Sequence, residues 1–316
     1  MERIVTGAQA KAFDRKKIEA GASSLAMMQT AAEGIVGAVC GMRAHSEPVT
    51  AICGTGNNGG DGVAAAWLLK LAGVDAQIVL IGDESRCTAD TAHYLKKARE
   101  AGVPVASEWR PIPNEILIDA LFGVGLSRPA EGVYRTVIER MNASGRPIVS
   151  ADLPSGLDAD SGVVLGAAVQ ATATVTMQAI KAGMLLGKGR ALCGRVSVQK
   201  LLPDDSEPDM FFDDEADIAP LLPKRPFDSH KGMNGHALLC VGSFSYPGAA
   251  LLSARAALRG GAGLLTVCTP DPVRPFFSAL PEAITVPTGT EDWCDAAAKP
   301  AVRAMERKNA IGIGCG

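Results

Sequence analysis

Cys53-Gly54-Thr55-Gly56-Asn57-Asn58-Gly59-Gly60-Asp61-Gly62 sits between a short apolar run, 49–53, and a helical pattern over 63–72. Five of the nine residues from Gly54 to Gly62 are glycine. A backbone with so few Cβ atoms turns sharply between strand and helix, and its N–H groups can come close to a ligand. The start of the helix that follows favours anions. Asn57, Asn58 and Asp61 occupy the turn itself, and two amides with a carboxylate suit polar chemistry or a cation as well as a phosphate.

Ahead of this loop, Thr6-Gly7-Ala8-Gln9 has the spacing of a capping box, opening a helix that ends near Gly21. Ser23 or Ser24 caps a second helix to about Met42, with Leu25, Met28, Ala32, Ile35 and Val39 on one face. Met27 and Met28 fit a core or a subunit interface better than a cofactor contact. After the loop, apolar strands at 76–81, 116–118 and 148–151 alternate with helices at 88–101 and 133–143. Continuous apolar strands separated by helices mean a parallel sheet covered on both faces, extended by strands at 172–177 and 195–198. In such sheets ligands bind beyond the carboxyl ends of the strands. The glycine loop, Asp119 and Asp152 all fall on that rim, whereas histidines 45, 93, 230 and 236 do not.

Prolines at 203, 208, 220 and 223, with an acidic run between Asp204 and Asp217, read as a linker. Beyond it, strands at 236–241 and 264–268 flank a helix at 248–259. The organisation expected is a domain over 1–212 and a second α/β domain over 213–316, whose last residues, 311–316, read as a strand entering a new glycine loop cut short. The 316 residues are 47% hydrophobic and 21% charged, a globular composition. A net charge of −3 without a basic run gives no reason to expect nucleic acid or an anionic membrane as partner. No 18-residue stretch reads as a membrane span, and the eight scattered cysteines fit a reduced, cytoplasmic chain.

Three constellations carry chemistry. Gly54-Thr55-Gly56-Asn57-Asn58-Gly59 matches the dinucleotide fingerprint GxGxxG, with Asp83 ending the next strand like a ribose-binding acid. Against a dehydrogenase, Asp61 competes with a pyrophosphate for the same N–H groups. A P-loop is excluded because no Gly-Lys-Ser/Thr follows. Asp119-Ala120-Leu121-Phe122-Gly123-Val124-Gly125-Leu126 places an acid at a strand end before two glycines, fit for a cation, a ribose or simply a helix cap. In Asp152-Leu153-Pro154-Ser155-Gly156, the proline and glycine fix a turn presenting Asp152 and Ser155 together. Oxygen ligands from Asn58, Asp119 and Ser155 would suit a hard cation.

These motifs, in this order, resemble the YjeF N-terminal domain family, the NAD(P)H-hydrate epimerases. The match runs through Gly56 to Gly62, Asp119 to Leu126, Asp152 to Gly162, Thr174-Val175-Thr176 and Lys181-Ala182-Gly183, with Met28-Gln29-Thr30-Ala31 ahead of them, and covers roughly residues 1–205. The resemblance implies a Rossmann-like three-layer αβα domain that binds NADHX or NADPHX, the hydrated nicotinamide nucleotides. It assigns substrate contacts to Asn57, Asn58, Gly59, Gly60 and Asp61, to Gly123, Val124, Gly125, Leu126, Ser127, Arg128 and Pro129, and to Asp152. It assigns a monovalent cation, K+, to Asn58, Asp119 and Ser155. The later half, through His230-Lys231-Gly232, Gly242-Ser243, residues 246–250 and residues 259–264, resembles the start of a ribokinase-like NAD(P)H-hydrate dehydratase that uses ADP or ATP, with Ala249 and Gly314 toward substrate. The nucleotide-binding motifs of that family would lie after residue 316, so dehydratase activity is expected only of a fuller chain.

The implied reaction is epimerisation at C6 of the dihydronicotinamide ring, with Asp61 the first choice for acid–base catalyst and Asp152 the second. Rivals are a nucleotide-binding scaffold using the same fold without turnover, a nucleotide-dependent kinase-like enzyme in the later half, and an NAD dehydrogenase. The apolar early helices make a homo-oligomer the expected assembly.

Overall fold

The computed structural model describes residues 2–44, 46–203, 210–213 and 215–315. Met1, His45, the linker residues 204–209 and 214, and the terminal glycine 316 fall outside them. The chain forms two compact units, Met1–Ala219 and Pro220–Gly316.

The first unit is built on seven parallel strands in the order β4-β3-β2-β5-β6-β7-β9. These are β2 (Val49–Cys53), β3 (Ala76–Leu80), β4 (Val105–Ala106), β5 (Ile116–Ala120), β6 (Ile148–Ala151), β7 (Ala173–Met177) and β9 (Arg195–Gln199). Alternate residues of each strand feed opposite cores. Val49, Ala51 and Cys53 of β2 join Ile116, Ile118 and Ala120 of β5 in one core. That core is closed by α2 (Ser24–Met42), α3 (Asn57–Leu71) and α4 (Ala89–Glu100). Ile52 and Leu117 face the other way, onto Val137, Ile138 and Met141 of α5 (Gly132–Ala143). Three αβα layers result, as the uninterrupted apolar strands require. At the amino end of the sheet the buried Glu115 is fully answered, by Thr50, Trp109, the Ile112 N–H and Arg146.

The capping box holds: Thr6 and Gln9 bond reciprocally at the start of α1 (Gly7–Glu19). A second anchor comes from 153 residues away, where Asp160 accepts the Gly7 N–H at 2.6 Å. A small sheet with no sequence signature, β10-β1-β8, docks α1 beside the main sheet. Its strands are β1 (Glu2–Val5), parallel to β8 (Ile180–Lys181) and antiparallel to β10 (Met210–Phe212). Short helices α6 (Ala182–Leu185), α7 (Gly189–Leu192) and α8 (Glu215–Ile218) complete the unit.

Two expectations are corrected. Helix α3 starts at Asn57, not at Val63, so the two asparagines and Asp61 lie in its first turns rather than in a loop. Glycine reads as a helix breaker, but here packing selects it: a Cβ on Gly59 would stand 1.8 Å from the Gly54 carbonyl oxygen. The 19-residue α2 is also long and apolar enough, by length and composition, to cross a membrane. Its Met28, Ala32, Ile35 and Val39 are buried in the first core.

The second unit carries a parallel sheet in the order β13-β12-β11-β14, from β11 (His236–Cys240), β12 (Leu264–Thr269), β13 (Ala283–Pro287) and β14 (Ala310–Ile313). Helices α9 (Pro247–Arg259) and α10 (Asp295–Ala304) pack on it.

Gly59→Ala is expected to destabilise the chain by roughly 1–3 kcal/mol or more, because neither wall of the contact is a flexible side chain. Gly37→Ala, in mid-α2 where an added Cβ meets nothing within 4 Å, should stabilise by about 0.5–1 kcal/mol. Urea unfolding of the two variants measures both, and equal effects would show that the Gly59 contact does not select glycine.

Candidate active site

Strand order reverses between β2 and β5, and an open parallel sheet leaves a crevice at such a point. The crevice is a cleft of about 1200 Å³. Asn57, Asn58 and Asp61 enter it from α3, whose N-cap Gly56 leaves the first N–H groups without a side-chain cap. Gly123, Val124, Gly125, Leu126, Ser127 and Arg128 line it from the segment after β5, and Asp152 from the segment after β6. Of the other expected contacts, Gly59 and Gly60 are buried beneath the cleft, Gly60 against Met28 and Thr91, and Pro129 is exposed outside the lining. Ala249 and Gly314 belong to the second unit: Ala249 lies in the first turn of α9, and Gly314 directly follows β14, donating its N–H to Cys240 at 3.2 Å.

Contacts at atomic distance bring the three motifs together. A Cβ on Gly123 would stand 2.9 Å from Asn58 Oδ1 and 3.2 Å from Asp152 Oδ2. Asp119, fully buried, accepts the Ser150 hydroxyl (2.7 Å) and the Ser155 N–H (2.9 Å) on Oδ2, and on Oδ1 only a long contact from the Leu121 N–H (3.5 Å). The Ser155 hydroxyl accepts the Phe122 N–H and donates to the Phe122 carbonyl. Burial raises the Asp119 pKa, while its bonds to Ser155 and Ser150 work against that rise. Asn58 differs: both polar atoms of its side chain are buried without a partner among the described residues. A native buried amide without partners is rare and points to something outside the chain. The Asn58 amide lines the cleft, whereas Asp119 and Ser155, bonded to each other, lie outside its lining; an amide oxygen, a carboxylate and a hydroxyl are oxygen donors of the kind a hard cation takes. Among the described residues no cluster of three His, Cys, Asp or Glu stands ready for a transition metal.

Several carboxylates face the cleft under different constraints. Asp152 holds a left-handed backbone (φ 64°), uncommon for a side chain of its kind. Its Oδ1 pairs with Lys181 Nζ and accepts the Met177 N–H at 3.2 Å. Among the described residues Asp61 has no such cation at hydrogen-bond distance. Burial, then the Asp152 and Asp14 carboxylates, push its pKa well above the ordinary carboxylate range against a smaller pull from Lys181, with Asp90 adding to the rise. Asp14 reaches the cleft from α1; burial there and the Asp152 charge raise its pKa too, although much of the residue stays open to solvent.

Residues 24–183 match the family described as YjeF-related protein N-terminus, and residues 237–316 match the family described as NAD(P)H-hydrate dehydratase. The chain belongs to the YjeF-related family. An NAD(P)H-hydrate epimerase of Limosilactobacillus fermentum is 37% identical over 199 residues, covering 62% of this chain and 96% of that protein. A bifunctional NAD(P)H-hydrate repair enzyme of Coxiella burnetii is 35% identical over 268 residues, covering 83% of this chain and 55% of that one. The chain thus spans about half the length of the bifunctional relatives it matches. The crystal structure of a yeast protein, ynu0, superposes with a TM-score of 0.56 at 21% identity, covering 68% of this chain and 98% of that one, and it supports the fold.

Within this YjeF-related unit, sequence reasoning missed Lys181 and Asp14 as site residues. The Lys181-Ala182-Gly183 signature was in view, but nothing in it shows that the lysine is 1% exposed and bound to Asp152. Asp14 sits among Lys11, Arg15, Lys16 and Lys17, a pattern that reads as a solvated face. Asp83, the ribose-binding candidate, instead caps the turn Glu84–Arg86 through Ser85.

A carboxyl whose pKa is raised on folding binds its proton more tightly in the folded state. Its ionisation therefore costs stability as pH rises above the unfolded-state value of about 3.9. Asp61→Asn removes that cost. The variant is expected to match wild type in thermal stability near pH 4 and to exceed it by a margin that grows with pH until Asp61 ionises in the folded protein. A pH-independent difference would show that Asp61 is not forced to hold its proton.

Proposed function

We propose that the first unit epimerises the R and S forms of hydrated NAD(P)H at C6 of the nicotinamide ring. The observation that carries this reading is the unequal pair of carboxylates in one cleft: Asp61 pushed toward its protonated form, and Asp152 tied to Lys181 through Oδ1. The cleft volume suits a dinucleotide, and the uncapped start of α3 suits a phosphate. The Limosilactobacillus relative, matched over nearly its whole length, bears the name of this activity.

C6 carries both the hydroxyl and a bond to N1, so the centre inverts by reversible loss of water. Asp61 gives its proton to the C6 hydroxyl. The C6–O bond then breaks as the N1 lone pair closes to an iminium, leaving C6 planar. Water adds to the opposite face, giving its proton to Asp152, and the reverse passage returns the proton to Asp61. General acid–base help of this kind contributes typically about 10²–10⁴-fold. Asn58, Asp119 and Ser155 would hold K+, which supplies positive charge beside the carboxylates and the substrate phosphates. For the second unit we propose that Ala249 and Gly314 face the hydrated nucleotide in a dehydratase site served by ADP or ATP.

Purified R-NADHX followed by chromatography tests the reading. Wild type is expected to speed equilibration with the S form, and Asp61→Asn to lower the rate by roughly 10²-fold or more. Tetramethylammonium in place of potassium should slow the wild type. A wild-type chain that binds NADHX but leaves the spontaneous rate unchanged would show a scaffold rather than an enzyme.

A further inference from the structure

We propose that Lys181 is a positioning residue for the epimerisation, the side chain that leaves Asp152 a single carboxylate oxygen for the substrate. This inference rests on the epimerase reading. Lys181 is 1% exposed, and each of its three ammonium protons has an acceptor: Asp152 Oδ1, the Thr176 hydroxyl at 3.0 Å and the Met177 carbonyl at 2.8 Å. No donor is left over for a ligand. Lys181 therefore acts through Asp152 and not on the substrate.

The two oxygens of Asp152 are treated differently. Oδ1 takes the ammonium, the Met177 N–H at 3.2 Å and a longer approach from the Thr176 hydroxyl at 3.4 Å. Oδ2 receives no donor among the described residues, and it lies 3.2 Å from where a Cβ on Gly123 would be. That is the wall carrying the unpartnered Asn58 amide. Rotation about the terminal bond of Asp152, which is otherwise broad, would break three contacts at once. The backbone fixes the other end, with Asp152 at φ 64° and its N–H donated to Val175 at 2.8 Å.

Lys181 is itself located by the small sheet. It is the last residue of β8, paired with Val5 of β1 in parallel register. The same β1 leads into α1, whose start is pinned by Asp160. One ammonium thus ties the end of β6 to the docked N-terminal segment, and the carboxylate between them is left with one free oxygen.

The test is chemical rescue of Lys181→Ala with ethylammonium, read as kcat and KM for R-NADHX. The expectation is a kcat lowered on the order of 10²-fold, as small misplacements in active sites cost, with KM near wild type and kcat recovering as ethylammonium rises. Asp152→Ala should show no recovery. A folded Lys181→Ala variant that keeps wild-type kcat, or that ethylammonium leaves unchanged, overturns the proposal while the epimerase reading stands. Wild type without acceleration would sink both. Where Lys181→Ala does not fold, Lys181→Gln keeps a donor in the same space; a fall in kcat at unchanged KM supports positioning, and unchanged kcat overturns it.

Discussion

The first turns of α3 run so close to the ends of β2 and β5 that side chains are excluded from the contact. A Cβ on Gly54 would lie 2.3 Å from the Leu121 carbonyl oxygen, one on Gly59 1.8 Å from the Gly54 carbonyl oxygen, and one on Gly62 2.4 Å from the Ala120 Cβ. Only glycine permits this approach, and the approach delivers Asn58 and Asp61 to the switch point of the sheet. Gly56 is different. An added Cβ there meets nothing within 4 Å, so the packing of the chain gives no reason for glycine. It caps α3 at the mouth of the cleft, where a ligand would need the space. The three packing glycines build the platform, with Gly60 packed against Met28 and Thr91 beside them, and one open glycine faces outward from it.

Given that platform, the buried charges of the unit sort by how they are answered. Glu115, at the amino end of the sheet, has donors on both oxygens and reads as structural. Asp119 is held by Ser150 and Ser155 on one oxygen and loosely on the other. Asp152, among the described residues, is held on Oδ1 alone. Asp61 has other carboxylates for neighbours and is driven toward its neutral form. Donors become scarcer from the amino end of the sheet to the cleft. Perturbed carboxyls collect where chemistry is done, and Asp61 and Asp14, both pushed up, line the same cleft.

The fold was legible because buried parallel strands read as continuous apolar runs, and six of the seven strands of the main sheet came from that signal. Helix α3 was read six residues short because glycine's local preference and its tertiary necessity point in opposite directions. The sheet β10-β1-β8 escaped because strands of two to four residues carry no period. The site was legible where chemistry-bearing side chains stand on glycine-rich segments, as at Asn58, Asp61, Asp119 and Asp152. It was illegible where only burial distinguishes a residue. A lysine after Ile180 or an aspartate within a charged helix looks the same in sequence whether it faces water or a cleft.

The unpartnered Asn58 amide bears on stability as well as on recognition. A buried polar group without a hydrogen bond costs on the order of 1–3 kcal/mol, and Asn58 leaves two such atoms at the centre of the three motifs. Hydrophobic packing does not require this, since Gly59 and Gly60 beside it are already buried against the core and a smaller apolar residue would satisfy the helix. A water or ligand answering those atoms lowers that cost, and a ligand that binds the folded chain alone stabilises it by mass action. The glycines bring α3 close enough to bury Asn58, and among the described residues the close approach leaves its amide no partner, so the same steric constraint that makes the platform also leaves that amide open to a bound species.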